Sequence, residues 1–259
     1  MNHDAANDTG IVTALSEQLR LAREELRRLR DRLADAELGL ATFQQQVAAF
    51  KRQYHDVTSV LQEELDRLNR LTIAELMEAQ GNKEAAAAAR EEPRERPKQH
   101  SRPSDPTEPP RFSPSPSLQK RYREAAKRFH PDLAEDDEDT EWRTQMMQKI
   151  NAAFAAADEA ALDRLLSQER PIVNDAAHPD PELMALQTKI ARVRARLEEV
   201  VRQQRALATS EMGQLFLQAE ASGQDTAVFL QMVADSLKTE VKQRERRLKE
   251  LIAARKGRE

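Results

Sequence analysis

Residues 22–40 read Ala22-Arg-Glu-Glu-Leu26-Arg-Arg-Leu29-Arg-Asp-Arg-Leu33-Ala-Asp-Ala36-Glu-Leu-Gly-Leu40. Ala22, Leu26, Leu29, Leu33, Ala36 and Leu40 recur at alternating steps of four and three. The same alternation begins at Val12, Leu15 and Leu19 and continues through Phe43, Val47, Phe50, Tyr54, Val57, Leu61, Leu68 and Leu71, broken only at Glu64. A 3.5-residue repeat held over about eight heptads predicts one coiled-coil helix. Residues 11–82 are assigned to it, ending at Gly81-Asn82, with residues 1–10 unstructured. At 1.5 Å per residue the helix would be on the order of 100 Å long. One helix cannot bury such a stripe alone, so a partner helix is required.

Composition agrees. Charged residues make up 33% and aromatics 4%, and there are only six Gly in 259 residues. That profile belongs to long helices rather than to one large globule. The net charge of −4 favours neither nucleic acid nor a membrane surface as a bulk partner. With no Cys, a disulfide framework and thiol chemistry are excluded. No basic, apolar leader opens the chain and no run of 18 apolar residues occurs, so a cytoplasmic location is expected.

Beyond the seam, residues 83–117 read as a disordered linker, because eight of the twelve Pro fall between Glu91 and Ser117. Residues 118–170 form the one candidate small domain. Ser117 reads as an N-cap, followed by a helix with Leu118, Tyr122, Ala125, Ala126 and Phe129 on one face. The other side carries Lys120, Arg121, Arg123, Lys127 and Arg128, and Lys120, Arg123 and Lys127 share one stripe. Such a stripe suits docking on an acidic surface. The helix runs into His130-Pro131-Asp132, where Pro131 ends it. A second helix aligns Trp142, Met146, Met147, Ile150, Ala153, Phe154 and Ala157, and a short third carries Leu162, Leu165 and Leu166. After a linker at 171–180, residues 181–259 read as an antiparallel helical hairpin turning at Ser222-Gly223-Gln224-Asp225. Its arms are expected to satisfy one another, which leaves the N-terminal seam to self-associate into a homo-oligomer.

The segment around the tripeptide resembles a J-domain, the module with which co-chaperones engage Hsp70-type chaperones. Tyr122, Ala126, Phe129 and His130-Pro131-Asp132 stand at the offsets of that family's second helix and loop. Met147-Gln-Lys-Ile150-Asn151-Ala-Ala153-Phe154 is similar to its Phe-x-x-Ile-Asn-x-Ala-Tyr pattern. The resemblance covers about 40 residues. The family's opening Tyr-x-x-Leu-Gly helix has no counterpart before Leu118. The resemblance implies a core of Leu118, Tyr122, Ala126, Phe129, Met147, Ile150, Ala153 and Phe154. It implies a contact with the chaperone through His130, Pro131, Asp132, Lys120, Arg121, Arg123, Lys127 and Arg128, with His130 on an exposed turn. The family uses this contact to trigger ATP hydrolysis in its partner.

A second copy, His178-Pro179-Asp180, lacks a basic helix and reads as a helix cap at Asp180. No Walker loop, nucleophile elbow or His-Glu-x-x-His motif occurs, so no catalytic residue, cofactor or metal is expected. His130 with Asp132, Asp136 and Asp137 lacks the fixed spacing of a ligand set. The expected fold is all-α, with long coiled-coil helices flanking a small J-like helical domain. The expected function is a J-domain co-chaperone of an Hsp70-type ATPase, without nucleic acid or membrane partners. The alternative is a structural coiled-coil adaptor whose J-like domain is degenerate.

Overall fold

The computed structural model describes the backbone of residues 3–91, 112–134, 136–168 and 179–257, and their side chains except those of 3–14 and 179–181. Among the described residues the chain forms eight α-helices, one 3-10 turn and no strand. The fold is all-α. By internal packing the chain divides into two compact units, Met1–Gln46 with Phe112–Ser210, and Val47–Arg111 with Glu211–Glu259.

Helix α1 runs His3–Ala79. It starts within the first ten residues, which had been expected to be unstructured, because adding residues to an established helix costs little. It stops where Gly81 adopts φ +83°, a conformation open to glycine. The turn lets the Asn82 N–H reach back to the Met77 carbonyl at 3.0 Å.

In the first unit, α1 packs on α6 (Pro179–Thr209). Ala22, Leu26, Leu29, Leu33 and Leu40 of the heptad seam meet Ile190, Val193 and Val200, flanked by Leu183, Leu186 and Leu197. The α6 stripe expected to face the other hairpin arm lies here instead. Each fully buried Leu or Ile contributes roughly 1.5–3 kcal/mol, so the first half of the seam is satisfied within one chain. α6 begins at Pro179, which puts Asp180 inside its first turn rather than at its cap. His178 lies outside the described residues.

The rest of this unit is α3 (Pro116–Phe129), the 3-10 turn Pro131–Leu133, α4 (Asp137–Ala155) and α5 (Glu159–Leu166). The cap of α3 is Ser115, not Ser117: Ser115 Oγ accepts the Leu118 N–H at 3.0 Å, with Pro116 as the first helical residue. Ser117 donates its hydroxyl to Glu159 instead. Pro131 holds His130 at ψ 132°, which ends the helix. Asp136 and Asp158 cap α4 and α5 through the Asp139 and Ala161 amides at 2.7 and 2.8 Å. Tyr122 meets Phe154 and Phe129 meets Trp142, so α3 and α4 run antiparallel.

In the second unit, α2 (Lys83–Arg90) occupies residues expected to belong to the linker. Asn82 Oδ1 accepts the Ala85 N–H at 3.1 Å, Ala86 is buried, and Arg90 pairs with Glu75 and Glu78. Capping and an alanine face explain a helix that proline counting misses. The Pro-rich stretch 92–111 and most of the second linker lie outside the described residues. α7 (Glu211–Ala221) and α8 (Thr226–Lys256) turn at Gly223, φ +66°, with Asp225 capping α8. Phe50, Ala219 and Leu230 form their core, with Phe216 edge-on to Phe50 at 5.7 Å. The expected first hairpin arm is broken at Ser210. There the Thr209 and Ser210 hydroxyls donate to carbonyls of the preceding turn, at Arg205 and Leu207.

Candidate functional site

The eight residues implied as a J-like core lie in one buried cluster, joined by Ala125, Met146, Leu162 and Leu165. Two members come from far away in sequence: Ala34 and Leu38 of α1, with Ala41 packed beside them. These positions are spaced i, i+4 and i+7 and lie off the heptad seam. α1 therefore uses two stripes, one for α6 and one for the helices around the His-Pro-Asp turn. A three-helix unit of this size has little core of its own, and the second stripe completes it.

Polar contacts tie the motif residues to one another. The Tyr122 hydroxyl donates to Asn151 Oδ1 at 2.9 Å, and burial pushes its phenol well above the ordinary value. Arg143 donates to the Arg128 carbonyl at the end of α3 and to the fully buried Asp139, both at 2.8 Å. The Asp139–Arg143 pair braces the start of α4 against the end of α3.

The basic residues divide by partner. Arg121 pairs with Glu159 and Asp163, and Arg128 donates to the Leu166 and Gln168 carbonyls, so both staple α5 to α3. Arg123 pairs with Asp35 at 2.6 Å and Lys127 with Asp31 at 2.7 Å, both on α1. Lys120 is exposed. Two of the three stripe residues thus already face an acidic helix surface within the chain.

His130 is not on an exposed turn. Only 5% of its side chain is accessible, because the Pro131–Leu133 turn is wedged against α6 and Leu133 enters the cluster between α1 and α6. His130 Nδ1 accepts the Asp132 N–H at 3.2 Å, which places the ring proton on Nε2. Nε2 then faces Glu37 Oε1 at 3.4 Å. The same Glu37 oxygen accepts from Arg196 of α6 at 2.7 Å. Burial pushes the Glu37 carboxyl up, but the His130 hydrogen bond and the Arg196 charge outweigh it and hold the group below its ordinary 4.5. Asp132 Oδ2 is buried without a hydrogen-bond partner, 3.6 Å from an Nδ1 whose lone pair is already used. Burial pushes its carboxyl above the ordinary 3.8, opposed in part by His130.

Sequence reasoning missed Asp31, Asp35, Glu37 and Arg196. The available signal was the Asp31/Asp35 pair at i, i+4 beside the off-seam Ala34 and Leu38, which marks a second working face on α1. Among the described residues no group of three or more His, Asp or Glu is arranged to hold a metal ion. No described helix is long and apolar enough to cross a membrane. Comparison with protein-family models, with curated proteins and with solved structures finds no match to this chain.

Proposed function

We propose that the chain is a J-domain co-chaperone that engages an Hsp70-type chaperone through α3 and the His-Pro-Asp turn and stimulates its ATPase. The observation that carries the reading is the agreement of motif with packing. Tyr122 bonds to Asn151, and Leu118, Ala126, Phe129, Met147, Ile150, Ala153 and Phe154 share the core between two antiparallel helices. A basic helix, a proline-fixed turn and a returning antiparallel helix support the resemblance. The chain does no chemistry in this reading. It supplies a shaped, cationic surface, which raises association rate and specificity for an acidic partner. The coiled-coil helices serve oligomerisation, localisation or client capture, and the expected compartment is the cytoplasm.

The test is single-turnover ATP hydrolysis by an Hsp70-type protein, with and without the chain. His130→Gln should abolish stimulation while His178→Gln, in the second copy, leaves it unchanged. Equal behaviour of the two variants, or no stimulation by the intact chain once His130 is accessible, removes the reading. One observation favours the second reading, a structural adaptor with a degenerate J-like domain: His130 and Glu37 bury one another, so the turn also works as a packing element.

A further inference from the structure

We infer that α1 is a built-in lock on the J-like unit: its segment 31–38 occupies the face that the chaperone contact needs, and the two compete. This rests on the co-chaperone reading above and adds its regulation.

The segment matches that face in charge and in shape. Asp31 and Asp35, one turn apart, meet Lys127 and Arg123, one turn apart on α3. Ala34, between the ion pairs, and Leu38, just past them, close the apolar core. Glu37 of the same segment takes the Nε2 side of His130 and is itself clamped by Arg196. An acidic helix laid across a basic helix and its turn meets the same requirements as an acidic docking partner. Both cannot occupy Arg123, Lys127 and His130 at once.

The parts contribute unequally. The Asp31 and Asp35 pairs are about half exposed, so they set register more than they hold. The closure is held by buried Leu38 and by the His130–Glu37–Arg196 contact. The lock uses a stripe distinct from the heptad seam. Residues 31–38 can therefore release α3, and Leu133 of the turn leave α6, while Leu26, Leu29, Leu33 and Leu40 keep their packing on α6. Displacement of the J-like unit, rather than unfolding of α1, is the opening step.

The experiment compares the full chain with the variant Asp31→Lys, Asp35→Lys, Glu37→Gln, which leaves every proposed chaperone-contact residue in place. Two readouts are taken. Carbethoxylation of His130 by diethyl pyrocarbonate, read by peptide mass against the exposed His55, reports the lock without reference to function. Stimulation of an Hsp70-type ATPase reports the contact. The expected result is a slow His130 in the wild type, a His130 as reactive as His55 in the variant, and stimulation at concentrations about tenfold lower. Wild-type His130 reacting like His55, or a variant His130 that stays protected, overturns the lock. Equal stimulation by both chains with His130 protected in the wild type also overturns it, and leaves the co-chaperone reading standing. A variant with reactive His130 and no stimulation overturns the co-chaperone reading and the lock's role with it. A milder variant guards against simple loss of structure: Glu37→Gln alone keeps the side-chain volume at the His130 contact and touches no proposed chaperone-contact residue. With helix content by circular dichroism equal to the wild type's, its His130 reactivity and its stimulation should lie between those of the wild type and the triple variant, and wild-type values of both overturn the lock.

Discussion

Glu37 of α1 and His130 of the His-Pro-Asp turn face one another at 3.4 Å, with side chains 7% and 5% exposed. The contact spans 93 residues of sequence and joins the long helix to the motif. Arg196 on the same Glu37 oxygen makes it a three-residue junction of α1, the turn and α6.

Glu37→Gln should cost about 1–3 kcal/mol at neutral pH, since it leaves Arg196 without its charge partner. The pH dependence has a definite sign. The folded Glu37 carboxyl lies below its ordinary 4.5. Its contribution is therefore present in full above about 4.5 and is lost as pH falls through the folded value. The stability gap between wild type and Glu37→Gln, measured by denaturant unfolding, should be constant from pH 7 to 5 and shrink below that. A gap that widens on acidification contradicts this assignment.

Asp132→Asn should act in the opposite direction. Its folded carboxyl lies above the ordinary 3.8, so ionising it costs stability as pH rises through the folded value. An amide in the same place should raise stability by up to about 1 kcal/mol at pH 7 and by nothing at pH 3. Thermal melts at the two pH values decide it.

Tyr122→Phe removes the buried hydroxyl that reaches Asn151 Oδ1 and leaves that oxygen, on an exposed residue, to water. A loss of about 1 kcal/mol is expected, with the ring packing on Phe154 retained. Asn151→Ala should cost a similar amount, and the double variant less than the sum. Additive losses would show that the two groups are not bonded.

Two backbone substitutions should stabilise. Ala157 has φ +54° between α4 and α5, so Ala157→Gly should gain about 1 kcal/mol by relieving a left-handed residue. Gly39 lies mid-helix, and an added Cβ would meet only the Gln204 amide nitrogen at 3.2 Å. That is the far end of a flexible side chain, holding a long 3.4 Å bond to Ala36. Gly39→Ala should therefore gain roughly 0.5–1 kcal/mol from helix propensity. A loss would mean that Gln204 has no room to move.

A fragment of residues 1–82 should self-associate at micromolar concentration, because it keeps the seam from Leu19 to Leu40 and loses α6. The intact chain fills that stretch itself, which leaves other exposed apolar residues, such as Val57, Val60, Ile73 and Leu76 further along α1, for any self-association. Light scattering on both chains separates the two cases. A monomeric fragment would show that the seam needs no cover.

The sequence by itself determined the helices, because their signals are local. The heptad series from Leu19 to Leu40, the stop at Gly81, the proline after His130 and the apolar faces of α3 and α4 each act within a few residues. Local chemistry also explains its errors: Ser115 with Pro116 outcompetes Ser117 as a cap, and Asn82 with an alanine face makes α2 a helix. The partner of each stripe was a different matter. Several helices present apolar faces of similar width, and periodicity says that a stripe is buried without saying by what. Only the tertiary structure decided that α6 covers the α1 seam, that Ala34 and Leu38 close the core of α3, α4 and α5, and that His130 is buried against Glu37. Those choices depend on contacts of high sequence separation, where shape and charge match between Asp31/Asp35 and Lys127/Arg123 selects among faces that look alike in one dimension.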